Sequence, residues 1–200
     1  MNILAVSTSQ KHPSVALMLG DRLYTFVDES GSQHSVALTN AVDLIMTETN
    51  ASYCTLDCLA VDVGPGSFTG VRIGIAFINA LAYSLNKKVI PVSSLRALRC
   101  LAENRNSKVL TALDARNGNG YYALFDGGKT VVEPSPCVLG EIAPLADECD
   151  GVLGDCFMRS DVFTAEHILA EACLSADSAA DCAAAMYLRP SQAERLKKPD

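Results

Sequence analysis

Apolar and polar positions along the chain change period at recognisable points. Ile3, Leu4, Ala5 and Val6 form an unbroken apolar run, Ser14-Val15-Ala16-Leu17-Met18-Leu19 follows, and Leu23, Tyr24, Thr25, Phe26 and Val27 alternate after a Gly20-Asp21 turn. Runs this short, punctuated by glycine and aspartate, predict three strands, the last two joined as a hairpin. The period then lengthens. Leu38, Ala41, Val42, Ile45 and Met46 stand at offsets 0, 3, 4, 7 and 8, the spacing of one helix face. Residues 59–63 read as a strand, 71–85 as a second helix, and 89–92 as another strand. Ser93-Ser94 then caps a helix reaching to about Glu103.

After the polar stretch 104–107 the strand pattern restarts at 109–113, 121–125 and 130–132, with Gly127-Gly128 as a hairpin turn. Two three-strand openings about 105 residues apart, dissimilar in sequence, predict two lobes built on one topology. The expected division is an N-terminal lobe over 1–104, a C-terminal lobe over 105–177, and a C-terminal helix and tail over 178–200 packing back on the first lobe. The second lobe reads as reduced. Pro134, Pro136 and Pro144 interrupt it, 151–154 is its one later strand, and 178–187 is the last expected helix.

With 49% hydrophobic and 20% charged residues in 200, the chain has the balance of a globular protein with mixed α and β structure. A net charge of −7 argues against unaided binding to a nucleic-acid backbone, which needs a concentrated cationic face. The opening Met1-Asn2-Ile3-Leu4-Ala5-Val6-Ser7 lacks a basic segment and a long apolar one. Residues 71–85 carry Arg72 and Asn79 and are short for a bilayer span, so the expectation is a soluble, cytoplasmic protein without a membrane partner. Eight cysteines occur with no C-x-x-C pair and read as small buried hydrophobes. His12, His34 and His167 are far apart, so no metal pair is expected.

Chemistry concentrates in Gly64-Pro65-Gly66-Ser67-Phe68-Thr69-Gly70-Val71-Arg72-Ile73-Gly74. A strand, a glycine turn and a helix start aim backbone N–H groups at an anion, which makes Gly64, Gly66, Ser67, Thr69 and Gly70 a candidate nucleotide or anion loop. The segment fits neither the P-loop nor the G-x-G-x-x-G pattern, and the competing reading is a sharp turn with close helix packing. Asp62, Asp114 and Arg116 fall at strand ends, where open α/β sheets place working groups and where turns are also made. Eleven of the fifteen residues 71–85 are apolar, as are eight of the thirteen residues 36–48. Two such helices side by side would leave an apolar patch suited to a protein partner, unless the second lobe covers it.

The glycine segment closely resembles the signature of the bacterial TsaB (YeaZ) family of tRNA threonylcarbamoyladenosine biosynthesis proteins. Ile3-Leu4-Ala5-Val6-Ser7-Thr8-Ser9, His34-Ser35, Val92-Ser93-Ser94-Leu95, Leu113-Asp114-Ala115-Arg116 and Tyr187-Leu188-Arg189-Pro190-Ser191 are similar to further family segments in the same order. The resemblance implies an α/β protein with the two-lobed actin-like/sugar-kinase/Hsp70 ATPase (ASKHA) fold, each lobe a mixed sheet with helices. It implies a non-catalytic scaffold, paralogous to the transferase TsaD, that supports modification of the tRNA adenosine next to the anticodon. A TsaD-like catalytic subunit and a TsaE-like ATPase are the implied partners, with tRNA met only through the complex and a homodimer formed when the chain is alone.

On that resemblance, His34, Leu38, Val42 and Ile45 on the first helix and Val71, Arg72, Ile75, Ile78 and Ala82 on the second are the expected partner-binding residues. Ile75→Glu or Val42→Glu is then expected to break the complex and leave a folded monomer. The catalytic paralogue's His-x-x-x-His metal pair is replaced here by Ser94 and Leu98. Family members commonly carry Asp where Ser7 stands and a glutamate where Asn119 stands. No cofactor is assigned, and ATP or ADP at a subunit interface is the nucleotide role left open. The competing readings are a stand-alone actin-like ATPase or metallopeptidase-like enzyme, and a nucleotide sensor using residues 64–70 or 114–118.

Overall fold

The short apolar runs pair into two mixed sheets, each with the same strand order. A computed structural model describes residues 1–104, 106–157 and 162–188. In the first lobe β1 (Ile3–Ser7), β2 (Ser14–Leu19) and β3 (Arg22–Val27) form an antiparallel meander. Then β4 (Cys58–Asp62) and β5 (Lys88–Val92) join parallel to β1, giving the order β3-β2-β1-β4-β5. Parallel neighbours need crossovers, and α1 (His34–Glu48) and α2 (Phe68–Leu85) supply them. In the second lobe β6 (Val109–Asp114), β7 (Asn119–Asp126) and β8 (Lys129–Val138) form another meander. There β9 (Gly151–Gly154) lies parallel to β6, and the order is β8-β7-β6-β9. The repeated topology is the expected two-lobed mixed-sheet fold.

Central strands are apolar on both faces because both are covered. One face of the first sheet, with Leu4, Val6, Val15, Leu17, Leu59 and Val61, packs on α1 and α2. The other face, with Ile3, Ala5, Ala16, Ala60, Ile90 and Val92, meets α3 (Ser94–Arg99), α5 (Ala165–Leu174) and Leu113, Ala123 and Phe125 of the second sheet. The two lobes therefore share one hydrophobic layer. Polar bonds tie the same junction: Glu171 is buried on α5, 3.3 Å from Arg99 Nη2 and 3.7 Å from Arg96 Nη1. Arg99 Nη1 also donates to the Gly128 carbonyl at the β7–β8 turn, at 2.8 Å. The outer face of the second sheet is covered by α4 (Leu139–Asp147), whose Ile142 packs with Ala112, Cys137 and Cys156.

Several expectations are corrected. The last helix over 178–187 is not formed: Ala176–Ser178 is a single 3-10 turn, and the chain to residue 188 contains no helix. That segment instead straps the first lobe. Ala180 and Val89 exchange backbone hydrogen bonds of 2.8 Å, Asn79 brackets the Ala183 backbone with its side-chain amide, and Met186 N–H donates to the Val63 carbonyl. The expected tail from residue 189 lies outside the described residues. Pro134 and Pro136 do not interrupt β8, because β8 is an edge strand where a missing donor faces no neighbour. Pro144 lies inside α4. The third helix ends at Arg99, and α4 and α5 were not anticipated. At 18 residues α2 is long and apolar enough to cross a membrane, contrary to expectation, yet one of its faces is built into the core. Among the eight cysteines only Cys58, Cys137 and Cys156 are buried; Cys54, Cys173 and Cys182 are exposed and Cys100 and Cys149 intermediate.

Candidate functional site

The C-terminal ends of β1 and β4 and the start of α3 converge on one carboxylate. Asp62, only 2% exposed, takes Gly64 N–H at 2.9 Å and Ser94 Oγ at 2.6 Å on Oδ1. On Oδ2 it takes Ser7 Oγ at 2.9 Å and the hydroxyl of Ser9. Burial pushes the Asp62 carboxyl above the ordinary carboxylate range, and the four hydrogen bonds pull it back only in part. Ser94 is thus committed to Asp62, and Leu98, the other residue at the paralogue's metal-pair positions, is sealed in the shared core. A hydroxyl donor and an isobutyl group do not fit a divalent metal. Among the described residues no group of three or more His, Cys, Asp or Glu side chains is placed to hold one.

The glycine turn beside this centre packs against the chain through its glycines, while Gly66, Ser67, Phe68 and Thr69 keep an exposed side. Ser67 caps α2, its Oγ accepting from Gly70 N–H, and Ser67 N–H itself donates to the Ser9 carbonyl. Gly64 N–H goes to Asp62, and Val71 N–H to the Ser67 carbonyl. Thr69 and Gly70 belong to the first turn of the helix, which starts three residues earlier than expected. A Cβ on Gly66 would stand 2.8 Å from Ser9 Cβ, one on Gly74 2.6 Å from Thr8 Oγ1, and one on Gly70 on the carbonyl oxygen of Thr8. The three glycines let α2 lie directly on the β1–β2 turn. At this turn the N–H groups of Gly64, Ser67, Gly70 and Val71 are engaged within the chain, and close packing accounts for Gly66, Gly70 and Gly74.

Asp114 and Arg116 are not brought to this centre. They sit on the exposed β6–β7 turn, where Asp114 Oδ1 accepts from Arg116 N–H at 2.7 Å and Asp155 accepts from Asp114 N–H at 2.7 Å. Arg116, Asn117 and Gly118 take positive φ there, which gives the local hydrogen bonds a turn-forming role.

The helix faces divide sharply. Leu38, Val42 and Ile45 of α1 and Val71, Ile75, Ile78 and Ala82 of α2 are all buried in the lobe's own core, against the sheet. They cannot meet a partner, because the 3.6-residue stripe that sequence periodicity detects is the one that faces the sheet. Ile75→Glu and Val42→Glu would consequently disrupt the fold itself. His34 begins α1 half-buried, its Nε2 3.1 Å from the Gln10 carbonyl. The outer side of α2 is different: Arg72, Ala76, Ala80 and Tyr83 are exposed, and Ile73, Phe77 and Leu81 are half-exposed beside them. Val36 and Leu44 are exposed on α1. At the head of the stripe the Arg72 guanidinium lies 3.8 Å from the centre of the Phe68 ring and 5.5 Å from that of Tyr187, whose hydroxyl accepts from Arg72 Nε at 2.7 Å. Phe68, Tyr187, Thr8 and Ser9 lie in the family-like segments but were given no role there; the contact of Arg72 with Tyr187 spans 115 residues, which no local pattern reveals.

A family model described as TsaD, tRNA N6-adenosine threonylcarbamoyltransferase, matches residues 28–144. The chain is 36% identical over 127 residues to the tRNA threonylcarbamoyladenosine biosynthesis protein TsaB of Escherichia coli K12, covering 62% of this chain and 55% of that protein. It is 32% identical over 126 residues to the TsaB of Bacillus subtilis 168, with the same two coverages of 62% and 55%. The chain thus spans about half the length of the curated relatives it matches. A solved Pseudomonas aeruginosa protein with similarity to peptidase YeaZ superposes with a TM-score of 0.79 at 24% identity, over 94% of this chain and 99% of that one. A second structure, YeaZ from the same organism, gives 0.70 at 25% identity over 88% and 92%. The match over more than half of its residues places this chain in the TsaD family, in which it is similar to the TsaB (YeaZ) proteins.

Proposed function

We propose that the chain is a non-catalytic scaffold subunit in the synthesis of threonylcarbamoyladenosine in tRNA. It binds and positions a TsaD-type catalytic relative in the cytoplasm, with a TsaE-like ATPase completing the assembly and tRNA met only through the complex. The observation that carries this reading is the outer stripe of α2, where Ile73, Ala76, Phe77, Ala80 and Leu81 leave apolar surface uncovered by either lobe. A stripe of this kind is stabilised by a second helical surface. The occluded centre at Asp62 supports an accessory role, since its hydroxyls and N–H groups are consumed internally. Alone, the chain would cover the same stripe with a second copy, and any ATP or ADP bound would lie at a subunit interface.

Phe77→Glu tests the reading. Phe77 lies on the outer stripe and only partly in the core, so the variant is expected to fold, lose copurification with the co-expressed TsaD-type chain, and fail to support tRNA modification. Normal complex formation by a folded Phe77→Glu protein would refute the stripe as the docking surface.

A further inference from the structure

The head of the α2 stripe holds a charge that the apolar surface around it does not explain. Arg72 is the one charged residue in Phe68–Leu85. Its guanidinium lies over the Phe68 ring, 3.8 Å from the ring centre, while Tyr187, whose ring centre is 5.7 Å from that of Phe68, holds it from the side through its hydroxyl. Among the described residues Nε is its one hydrogen-bonded nitrogen, donating to the Tyr187 hydroxyl, and the side chain is exposed. Stacking fixes the side chain before any partner arrives, which removes most of the rotamer entropy that ordering an arginine costs. A fork pre-set in this way matches a carboxylate with two parallel N–H···O bonds. Left without one, it would be a desolvated cation in an apolar contact, which is strongly unfavourable.

Resting on the docking surface proposed above, we propose that Arg72, stacked on Phe68 and tied to the Tyr187 hydroxyl, selects a partner chain that presents an aspartate or glutamate side chain opposite the first turns of α2. Charge complementarity favours this occupant over two others. A second copy packed symmetrically, α2 on α2, would bring no carboxylate from that helix, whose single charge is again Arg72. A nucleic-acid backbone would be opposed by the net charge of −7. Arg72 therefore contributes specificity to an interface whose area comes from the apolar residues behind it.

The test titrates the TsaD-type partner with wild-type chain, Arg72→Met and Arg72→Lys, each at about 50 mM and about 500 mM salt. Wild-type affinity is expected to fall with salt. Arg72→Met is expected to bind about 10-fold weaker or worse at low salt, with its salt dependence flattened. Arg72→Lys, which keeps the charge without the fork, should fall between them. Thermal melts of the free variants verify that each is folded. Affinity of Arg72→Met within about 2-fold of wild type and equally salt-sensitive, while Phe77→Glu still abolishes binding, would overturn the carboxylate assignment and leave the docking surface standing. Absence of wild-type binding would overturn both. Self-association in sedimentation that depends on Arg72, or tRNA binding lost in Arg72→Met, would assign the fork to a second copy or to phosphate and overturn the proposal.

Discussion

The two lobes repeat one strand order and use it differently. The first sheet has helices on both faces, five strands, and a turn after β1 that is buried under α2 and closed around Asp62. The second has four strands and the single helix α4 on its outer face, and it takes its inner cover from α3 and α5. Its equivalent turn, after β6, stands in solvent with Asp114 and Arg116 on it. The difference teaches that the second lobe is not an independent partner in a clamp. With Leu113, Ala123 and Phe125 in the same core as β1 and β4, and the β7–β8 turn bonded to Arg99, the lobes have no dry surface left on which to slide. The two lobes are here joined into one block, and the exposed apolar stripe of α2 lies on the outside of the first lobe.

Ile168→Ala strikes the shared layer and gives the largest expected effect. Ile168 is fully buried between the sheets, and truncation there should cost about 2–5 kcal/mol in urea unfolding. The loss should appear in both lobes together, so amides of β1 and β7 should gain hydrogen exchange in step. Exchange that rises in β7 alone would show that the lobes unfold separately. Gly70→Ala attacks a feature of the first lobe alone, the contact of α2 with the Thr8 carbonyl. Because backbone lies on both sides of it, about 1–3 kcal/mol of stability should be lost by the same measurement.

The smallest effect is a pH dependence that separates the two equivalent turns. The folded protein holds the Asp62 proton to higher pH than the unfolded chain does, so the stability this group contributes is greatest in acid. It is lost as pH rises from the ordinary carboxylate value to the raised folded one. Asp62→Asn should therefore melt higher than wild type at about pH 7, with the advantage shrinking towards about pH 4. The same exchange at exposed Asp114 should change stability by no more than about 0.5 kcal/mol at either pH. A profile for Asp62→Asn parallel to wild type would show that its four donors fully compensate for burial.

Sequence pattern was a good guide wherever one period dominates. The strands of both meanders, α1 and α2 follow from unbroken apolar runs or a clear 3.6-residue stripe. By contrast α5 is Ala-Glu-His-Ile-Leu-Ala-Glu-Ala-Cys-Leu, where a buried Glu171 interrupts the apolar face and alanine blurs its edge. The 178–187 stretch erred the other way, because its alanines suit a helix while Asn79 and Val89 capture its backbone in an extended course. For the candidate site, the glycine segment and Asp62 were visible as residues, but their role was set by Thr8 and Ser9 more than fifty residues away. Apart from His34 and Arg72, the residues of α1 and α2 expected to meet a partner are those that face the lobe's own core. Periodicity marks the stripe that a helix buries at home, and surface left for others is what that stripe omits.

The prolines and the returning segment have one more effect, on what the molecule avoids. An unsheathed outer strand offers a ladder of N–H and C=O groups onto which any other extended chain can zip, the first step towards fibrils. On β8 the outer ladder is broken by Pro134 and Pro136; on β5 it lacks a rung at Pro91, and the pair formed with Ala180 occupies another. Strand-to-strand growth is discouraged along one margin of each sheet, β5 of the first and β8 of the second.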